Sequence, residues 1–202
     1  EPLLLIQPQS TNLIKYSEDF TQWAEPTPGI LTSNATESPT GDLSATEIQN
    51  SSVFSLCLYQ TYVGILSVGN HTYSIYVKYK DADVRFNLRT GGAGSSESVF
   101  IISENGVTLD SSLKRTKIED VGNGWFRLSV DFDSDGIIGH NAQLRADLNP
   151  TTNSFYIWGA QIEQQPFATS YIPTNGSVAT RLQDKIQKVG STDTINSEEG
   201  VF

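Results

Sequence analysis

The feature that most constrains this chain is a succession of short segments with alternating apolar and polar residues and no long helical period. Such segments, separated by turn residues every few positions, are typical of a β-sandwich. We predict strands over residues 45–49, 54–62, 71–80, 84–89, 98–102, 116–121, 125–133, 141–147, 154–164 and 169–173. Asn105-Gly106 and Gly122-Asn123-Gly124 supply turns between them, and a short strand near 29–33 interrupts a loop rich in Pro, Thr, Ser and Gly. The chain is therefore predicted to be all-β.

Two neighbouring segments, 73–80 and 84–89, alternate most clearly. Their apolar faces are expected to build the core. Their polar faces carry the candidate ligand-binding residues Tyr76, Lys78, Arg85, Asn87 and Arg89. If Gln143 and Arg145 of a later strand join the same sheet, this surface becomes a basic patch on an acidic protein.

Sugar-binding sites combine a flat aromatic ring with planar donors such as Arg, Asn and Gln, which is the composition of this predicted face. An ordinary solvated sheet face, with Lys and Arg protecting the strand edges, explains the same pattern equally well. Alternation alone does not separate the two, so both interpretations stay open.

The net charge of −10 argues against a nucleic-acid partner, because phosphate binding needs a basic surface. Solubility is the simplest explanation of the acidity, and Ca²⁺ binding is the alternative. We expect no membrane insertion, because no apolar stretch reaches the ~20 residues of a membrane span.

Catalytic motifs are not evident in the sequence. Two histidines cannot build a multi-histidine zinc site, and a Gly-x-Ser-x-Gly elbow is missing. The 23 acidic residues single out no carboxylate pair for glycoside hydrolysis. The acidic run 131–136 begins like an EF-hand loop, but Ala142 stands where the twelfth-position glutamate belongs, so we expect a solvated hairpin tip. These observations favour a non-enzymatic protein.

Several segments together resemble the jelly-roll modules of tailed-phage virion proteins. The matching segments are 12–20 with Trp23, 73–78, 122–127, 156–163, 168–174 and 180–181. These modules look like distant relatives of the carbohydrate-binding modules attached to polysaccharide-degrading enzymes. The resemblance covers about residues 10–184, which is a whole domain by size.

The resemblance implies a two-sheet antiparallel jelly-roll β-sandwich. It divides the chain into an extended lead-in (1–11), the domain (12–183) and a linker with the start of a following domain (184–202). The implied function is non-catalytic binding of a polysaccharide or cell-surface glycan by a phage fibre or other virion-surface, extracellular protein. A structural spacer that forms a homotrimer within a fibre, and a glycan hydrolase or lyase, are the alternatives.

The resemblance also bears on calcium and on the tryptophans. Enzyme-linked relatives often hold a structural Ca²⁺ with acidic residues of the first element and an Asp pair of the final strand. This chain has Glu18 and Asp19 in the first position, which makes them candidate ligands, but Gly159-Ala160 in the second. Because Trp is usually highly buried, we expect Trp125 and Trp158 in the core. Trp23, beside a loop, is the candidate exposed sugar platform.

Overall fold

Two six-stranded antiparallel sheets form the protein, according to a computed structural model that describes residues 6–27, 29–50, 56–92, 96–147 and 154–184. The first sheet contains, in spatial order, β10 (Thr116–Gly122), β11 (Trp125–Ser134), β6 (Gly69–Tyr79), β13 (Ser154–Glu163), β4 (Leu43–Asn50) and β3 (Gly29–Glu37). The second contains β2 (Ala24–Thr27), β5 (Leu56–Ile65), β12 (Gly139–Asp147), β7 (Val84–Gly91), β8 (Glu97–Ser103) and β9 (Gly106–Ser112). The predicted two-sheet antiparallel jelly-roll β-sandwich is confirmed.

A small third sheet joins the two ends of the domain. In it, β1 (Ser10–Asn12) pairs with β14 (Ala179–Arg181). Strand pairing therefore begins at Ser10, and the predicted linker from residue 185 onward lies outside the described residues. Within the described ranges, helical structure is limited to the turn Phe20–Gln22, and no helix there is long or apolar enough to cross a membrane.

The main core lies between the two sheets and follows the predicted alternation. On β6, the odd-numbered residues Tyr73, Ile75 and Val77 are fully buried, and on β7 the even-numbered residues take that position. Each such large side chain contributes about 1.5–3 kcal/mol to the free energy of unfolding. The alternating residues of the same strands point away from this core, and they are the residues that determine where a binding site can lie.

A second core covers the outward face of the first sheet. It consists of Ala45, Tyr76, Trp125 and Trp158, all at most 8% exposed, with Tyr156 and Tyr171 packed against them. The predicted burial of Trp125 and Trp158 is confirmed. Their indole N–H groups donate to the Glu37 carbonyl at 3.1 Å and to the Ser44 hydroxyl at 2.8 Å. This outward face therefore belongs to the scaffold.

Residues 169–173 lie over this second core, and the prediction that they form a strand is wrong. Their backbone groups bond to side chains of other elements instead of to a neighbouring strand. The Gln161 side chain accepts from the Ile172 N–H at 2.7 Å, the Glu163 carboxylate accepts from the Thr169 N–H at 3.0 Å, and Asn12 donates to the Ile172 carbonyl at 2.9 Å.

Candidate functional site

The candidate residues predicted to share one face lie on two different sheets. Tyr76 and Lys78 belong to β6 in the first sheet, whereas Arg85, Asn87 and Arg89 belong to β7 in the second. The chain crosses between the sheets in the short connection after β6, so the outward faces of these strands point in opposite directions. The prediction of one combined surface is wrong.

Tyr76 serves the scaffold and is not available to a ligand. Its ring is 8% exposed and makes an edge contact with Trp158, with centroids 5.3 Å apart. The Arg127 guanidinium lies 5.2 Å from the same ring. Burial raises the pKa of Tyr76 above its ordinary value. Lys78 lies on the same sheet as Tyr76, and the Lys78 ammonium lies 5.9 Å from the centre of the Trp125 ring.

The remaining five candidates do meet, on the outward face of the second sheet. In the pairing of β7 with β12, Arg89 lies opposite Gln143 and Asn87 lies opposite Arg145. Gln143 and Arg145 therefore share a sheet with Arg85, Asn87 and Arg89, but not with Tyr76 and Lys78. We call this surface the arginine face, and it consists of Arg85, Asn87, Arg89, Gln143 and Arg145.

Asn87 forms the floor of the arginine face. It is 3% exposed, because it lies between the long side chains of its strand and those of the neighbouring strands. Its amide nitrogen donates to a Glu97 carboxylate oxygen at 2.5 Å. Its Oδ1 is buried and has no hydrogen-bond partner among the described residues. A buried acceptor without a partner is costly, so this atom is suited to a donor supplied by a ligand.

The two β7 arginines differ in their partners. The Arg85 guanidinium donates to Asp110 at 3.1 Å. Arg89 is exposed, and within the described part of the chain its side chain has no hydrogen bond or ion pair. The carboxylate across the strand pair from it, Glu97, is turned towards Asn87. The guanidinium of Arg89 is therefore available to an external acceptor.

Tyr62 provides an exposed aromatic ring at the end of this face. It is 66% exposed and lies opposite Asn141, one row along from the pair of Gln143 and Arg89. Gly91 completes the row of Tyr62, and a Cβ there would lie 3.1 Å from the Gln143 amide nitrogen. The glycine therefore makes room for the Gln143 amide, which lies over it.

The sequence did not single out Tyr62, because apolar or aromatic residues occur at both even and odd positions of segment 56–63. Alternation consequently gave no orientation for β5. The signal that assigns Tyr62 to the arginine face is the register of β5 on β12, which pairs Tyr62 with Asn141 and Tyr59 with the buried Leu144.

The prediction that Trp23 is an exposed platform is wrong. Trp23 is 3% exposed, its ring lies 5.2 Å from that of Phe20, and its indole N–H donates to the Tyr16 carbonyl at 2.9 Å. Its position directly after a 3-10 turn points the ring into the sandwich.

The candidate calcium ligands Glu18 and Asp19 are occupied by bonds within the protein. Burial raises the pKa of Tyr171, so its phenol stays protonated and donates to Glu18 at 2.8 Å. Asp19 caps the 3-10 turn by accepting from the Thr21 N–H at 3.1 Å. Over the described ranges, no group of three or more His, Cys, Asp or Glu is arranged to hold a metal ion. The geometry accounts for both carboxylates without a cation, and the calcium site stays a prediction.

The acidic run that resembles an EF-hand start lies mostly in β11. Asp131 pairs with Arg115 at 2.5 Å, and Asp133 pairs with Lys114 at 3.0 Å. Asp135 instead accepts from the N–H groups of Ile137 and Ile138, which lowers its pKa. The three carboxylates have separate partners, and none of these contacts needs an ion.

No protein-family model and no curated protein matches the chain. Among solved structures, it is similar to the CBM22-1–GH10 modules of Clostridium thermocellum endo-1,4-β-D-xylanase 10B in complex with xylohexaose. The match has 13% sequence identity and a TM-score of 0.49, and covers 83% of this chain and 30% of that one. This chain thus spans less than a third of that protein. The fold is assigned from the strand order described above and does not depend on this match.

Proposed function

We propose that this domain is a non-catalytic glycan-binding module and that it binds polysaccharide on the arginine face. The observation that carries the proposal is the presence of an exposed aromatic ring, Tyr62, on the same sheet face as the planar donors Gln143 and Arg89. A pyranose ring has an apolar side that packs on an aromatic ring and a rim of hydroxyl groups that bond to amides and guanidiniums.

In this arrangement each residue has a defined role. Tyr62 is the platform for one sugar ring, and Gln143 beside it bonds to hydroxyl groups of that ring or of the next one. Asn87 accepts a hydrogen bond from a sugar hydroxyl group at its unpaired Oδ1, and Arg89 donates to an acceptor on the sugar. Consecutive paired rows of a sheet repeat about every 7 Å, so the face suits an extended chain of sugars better than a single ring.

The biological setting is also part of the proposal. The sequence resemblance to tailed-phage virion modules supports a place on a virion surface or another extracellular appendage, where the domain adheres to host or environmental glycans. Weak single-site binding is sufficient in that setting, because many copies on one particle bind together.

The proposal is tested by electrophoresis of the domain through gels that contain a panel of neutral and charged polysaccharides. We expect at least one polysaccharide to retard the wild-type domain, and we expect Tyr62→Ala to abolish most of the retardation. Phe167→Ala is the matched control, because Phe167 is 51% exposed but lies outside the arginine face. A domain that no polysaccharide retards, even when it is presented as a multimer, would falsify the proposal. Equal loss of retardation in the two variants would assign binding to another surface.

A further inference from the structure

We infer that the ligand of the arginine face is an acidic polysaccharide whose carboxylates, as in hexuronate residues, bind to the guanidinium of Arg89. This inference rests on the proposed function and narrows it to a class of glycan.

The cations of the second sheet are all of one type. Its six strands contain no lysine, and their cations at neutral pH are Arg85, Arg89 and Arg145, which all belong to the arginine face. Three of the six arginines of the chain are thus collected on two adjacent strands. Arginine matches a carboxylate with two parallel N–H donors, whereas lysine offers only a point charge. A face that served only solubility would not require arginine in place of lysine.

Arg89 differs from Arg85 in having no acidic partner among the described residues. An arginine in a sheet that also carries acidic residues is normally paired with one of them, as Arg85 is with Asp110. Arg89 has the acidic residue Glu97 directly opposite, yet the Glu97 carboxylate bonds to the Asn87 amide at 2.5 Å. Asn87 thereby keeps the neighbouring carboxylate away from Arg89. The result is an exposed guanidinium that carries no internal counter-ion among the described residues.

The arginine face is a local concentration of positive charge on an acidic chain. A net charge of −10 repels polyanions in general. Binding of an acidic glycan to such a protein therefore depends on a local site that holds the carboxylate in a defined geometry. The nearby Tyr62 and Gln143 provide that geometry, because they fix the sugar ring that bears the carboxylate.

The test uses alginate, polygalacturonate and hyaluronate, each beside its carboxyl-reduced counterpart, which has the same backbone without the charge. We expect one of the three acidic polymers to retard the wild-type domain and its reduced form to retard it at least about tenfold less. Arg89→Gln keeps a planar group with N–H donors but removes the positive charge. We expect this variant to bind about tenfold more weakly. Lys117→Gln, a change of equal charge at an exposed position of the first sheet, should leave binding unchanged.

The outcomes separate this inference from the proposed function. Binding of neutral glycans alone, or equal binding of an acidic polymer and its reduced form, would overturn the inference and leave the proposed function intact. Binding of dextran sulfate as tightly as the best acidic glycan would also overturn it, because a non-specific polyanion effect would then suffice. Failure of every polysaccharide to bind would refute the proposed function itself.

Discussion

Asn12 is a single buried residue that connects three separate parts of the chain. Its side chain is fully buried and makes four hydrogen bonds, which donate to the carbonyls of Ala160 and Ile172 and accept from the N–H groups of Ile14 and Ile162. All the hydrogen-bonding capacity of the amide is used at this position.

We expect Asn12→Ala to lower the free energy of unfolding by roughly 3–5 kcal/mol, because it leaves several buried backbone groups without partners. Urea unfolding followed by tryptophan fluorescence measures this change. Asn70→Ala is the control, since Asn70 is exposed and bonds only to Asp133 at the surface. Its expected cost is within about 0.5 kcal/mol. A loss for Asn12→Ala no larger than that of the control would contradict the assigned role.

Gly159 allows the backbone of β13 to lie close to the aromatic rings of the second core. It has φ = 62° at a register shift in the strand, and a Cβ there would lie 3.1 Å from the Tyr76 ring and 3.2 Å from the Tyr171 ring. We expect Gly159→Ala to cost roughly 2–4 kcal/mol through backbone strain and overpacking together. Gly41→Ala separates the two effects, because Gly41 has φ = 90° but open space around it, and it should cost about 1–2 kcal/mol. Thermal unfolding of both variants measures the difference, and equal costs would show that the aromatic contacts are unimportant.

At the scale of single residues, the sequence predicted the types of residue in the proposed site better than it predicted which residues lie together there. Arg85, Asn87 and Arg89 were found from alternation because β7 has one apolar and one polar face. Tyr76 satisfied the same rule and yet is buried, because a later segment containing Tyr171 covers its sheet. Alternation reports which side of a strand a residue is on, and it contains no information on what covers that side.

At the scale of elements, a buried carboxylate is one of the side chains that hold the segment around Thr169 in place. Glu163, which is fully buried, accepts hydrogen bonds from Ser10 at 2.6 Å and from the Thr169 N–H and hydroxyl. The Thr169 carbonyl in turn accepts from Arg127 at 2.5 Å. The segment therefore depends on side chains, where a strand would depend on its neighbour.

We expect Glu163→Ala to release this segment from the second core. The amide hydrogens of Thr169 and Ile172 should exchange with solvent at least about tenfold faster, because their opening no longer requires global unfolding. Hydrogen exchange measured by NMR distinguishes them from amides of the main core, such as that of Phe86, which should be affected less. Glu119→Ala, on the edge strand β10, should leave all of them unchanged. Uniform acceleration throughout the protein would show that Glu163 supports global stability alone.

The contrast between segments held by a neighbouring strand and segments held by side chains explains which elements could be predicted. Ten of the eleven predicted strands, counting the short one near 29–33, are present, because strands buried on one face retain a two-residue period. The edge strand β9 (Gly106–Ser112) was missed, since most of its residues are exposed on both faces and show no period. Residues 169–173 were assigned to a strand because extended backbone and apolar residues occur there, but the hydrogen-bond partners are side chains distant in sequence.

At the scale of the whole molecule, the segments that enter and leave the sandwich run side by side. Gln7 and Asp184 exchange two hydrogen bonds, of 2.9 and 3.1 Å, next to the pairing of β1 with β14. The first and last described segments of the domain therefore lie next to each other.

The contact between the two sheets includes a pair of buried histidines, and we expect them to make the stability of the domain dependent on pH. His71 of the first sheet and His140 of the second lie on either side of Phe132, with ring centroids 5.4 and 5.3 Å from it. Burial lowers the pKa of both histidines, and it outweighs the opposing effects of Asp133 on His71 and of Asp135 on His140.

Because the folded-state pKa values lie below the unfolded value of about 6.5, the unfolded chain binds more protons between those limits. The free energy of unfolding should therefore be constant above about pH 6.5 and should decrease as the pH falls towards the folded-state values. The slope should not exceed about 1.4 kcal/mol per pH unit for each histidine. The lowered pKa values of Asp42 and Asp135 affect stability only below about pH 4, so the range from pH 7 to 5 isolates the histidines. Urea unfolding across that range should show the decrease in the wild type and a smaller decrease in His140→Gln. A flat wild-type profile would mean that the histidines are protonated without cost inside the sandwich.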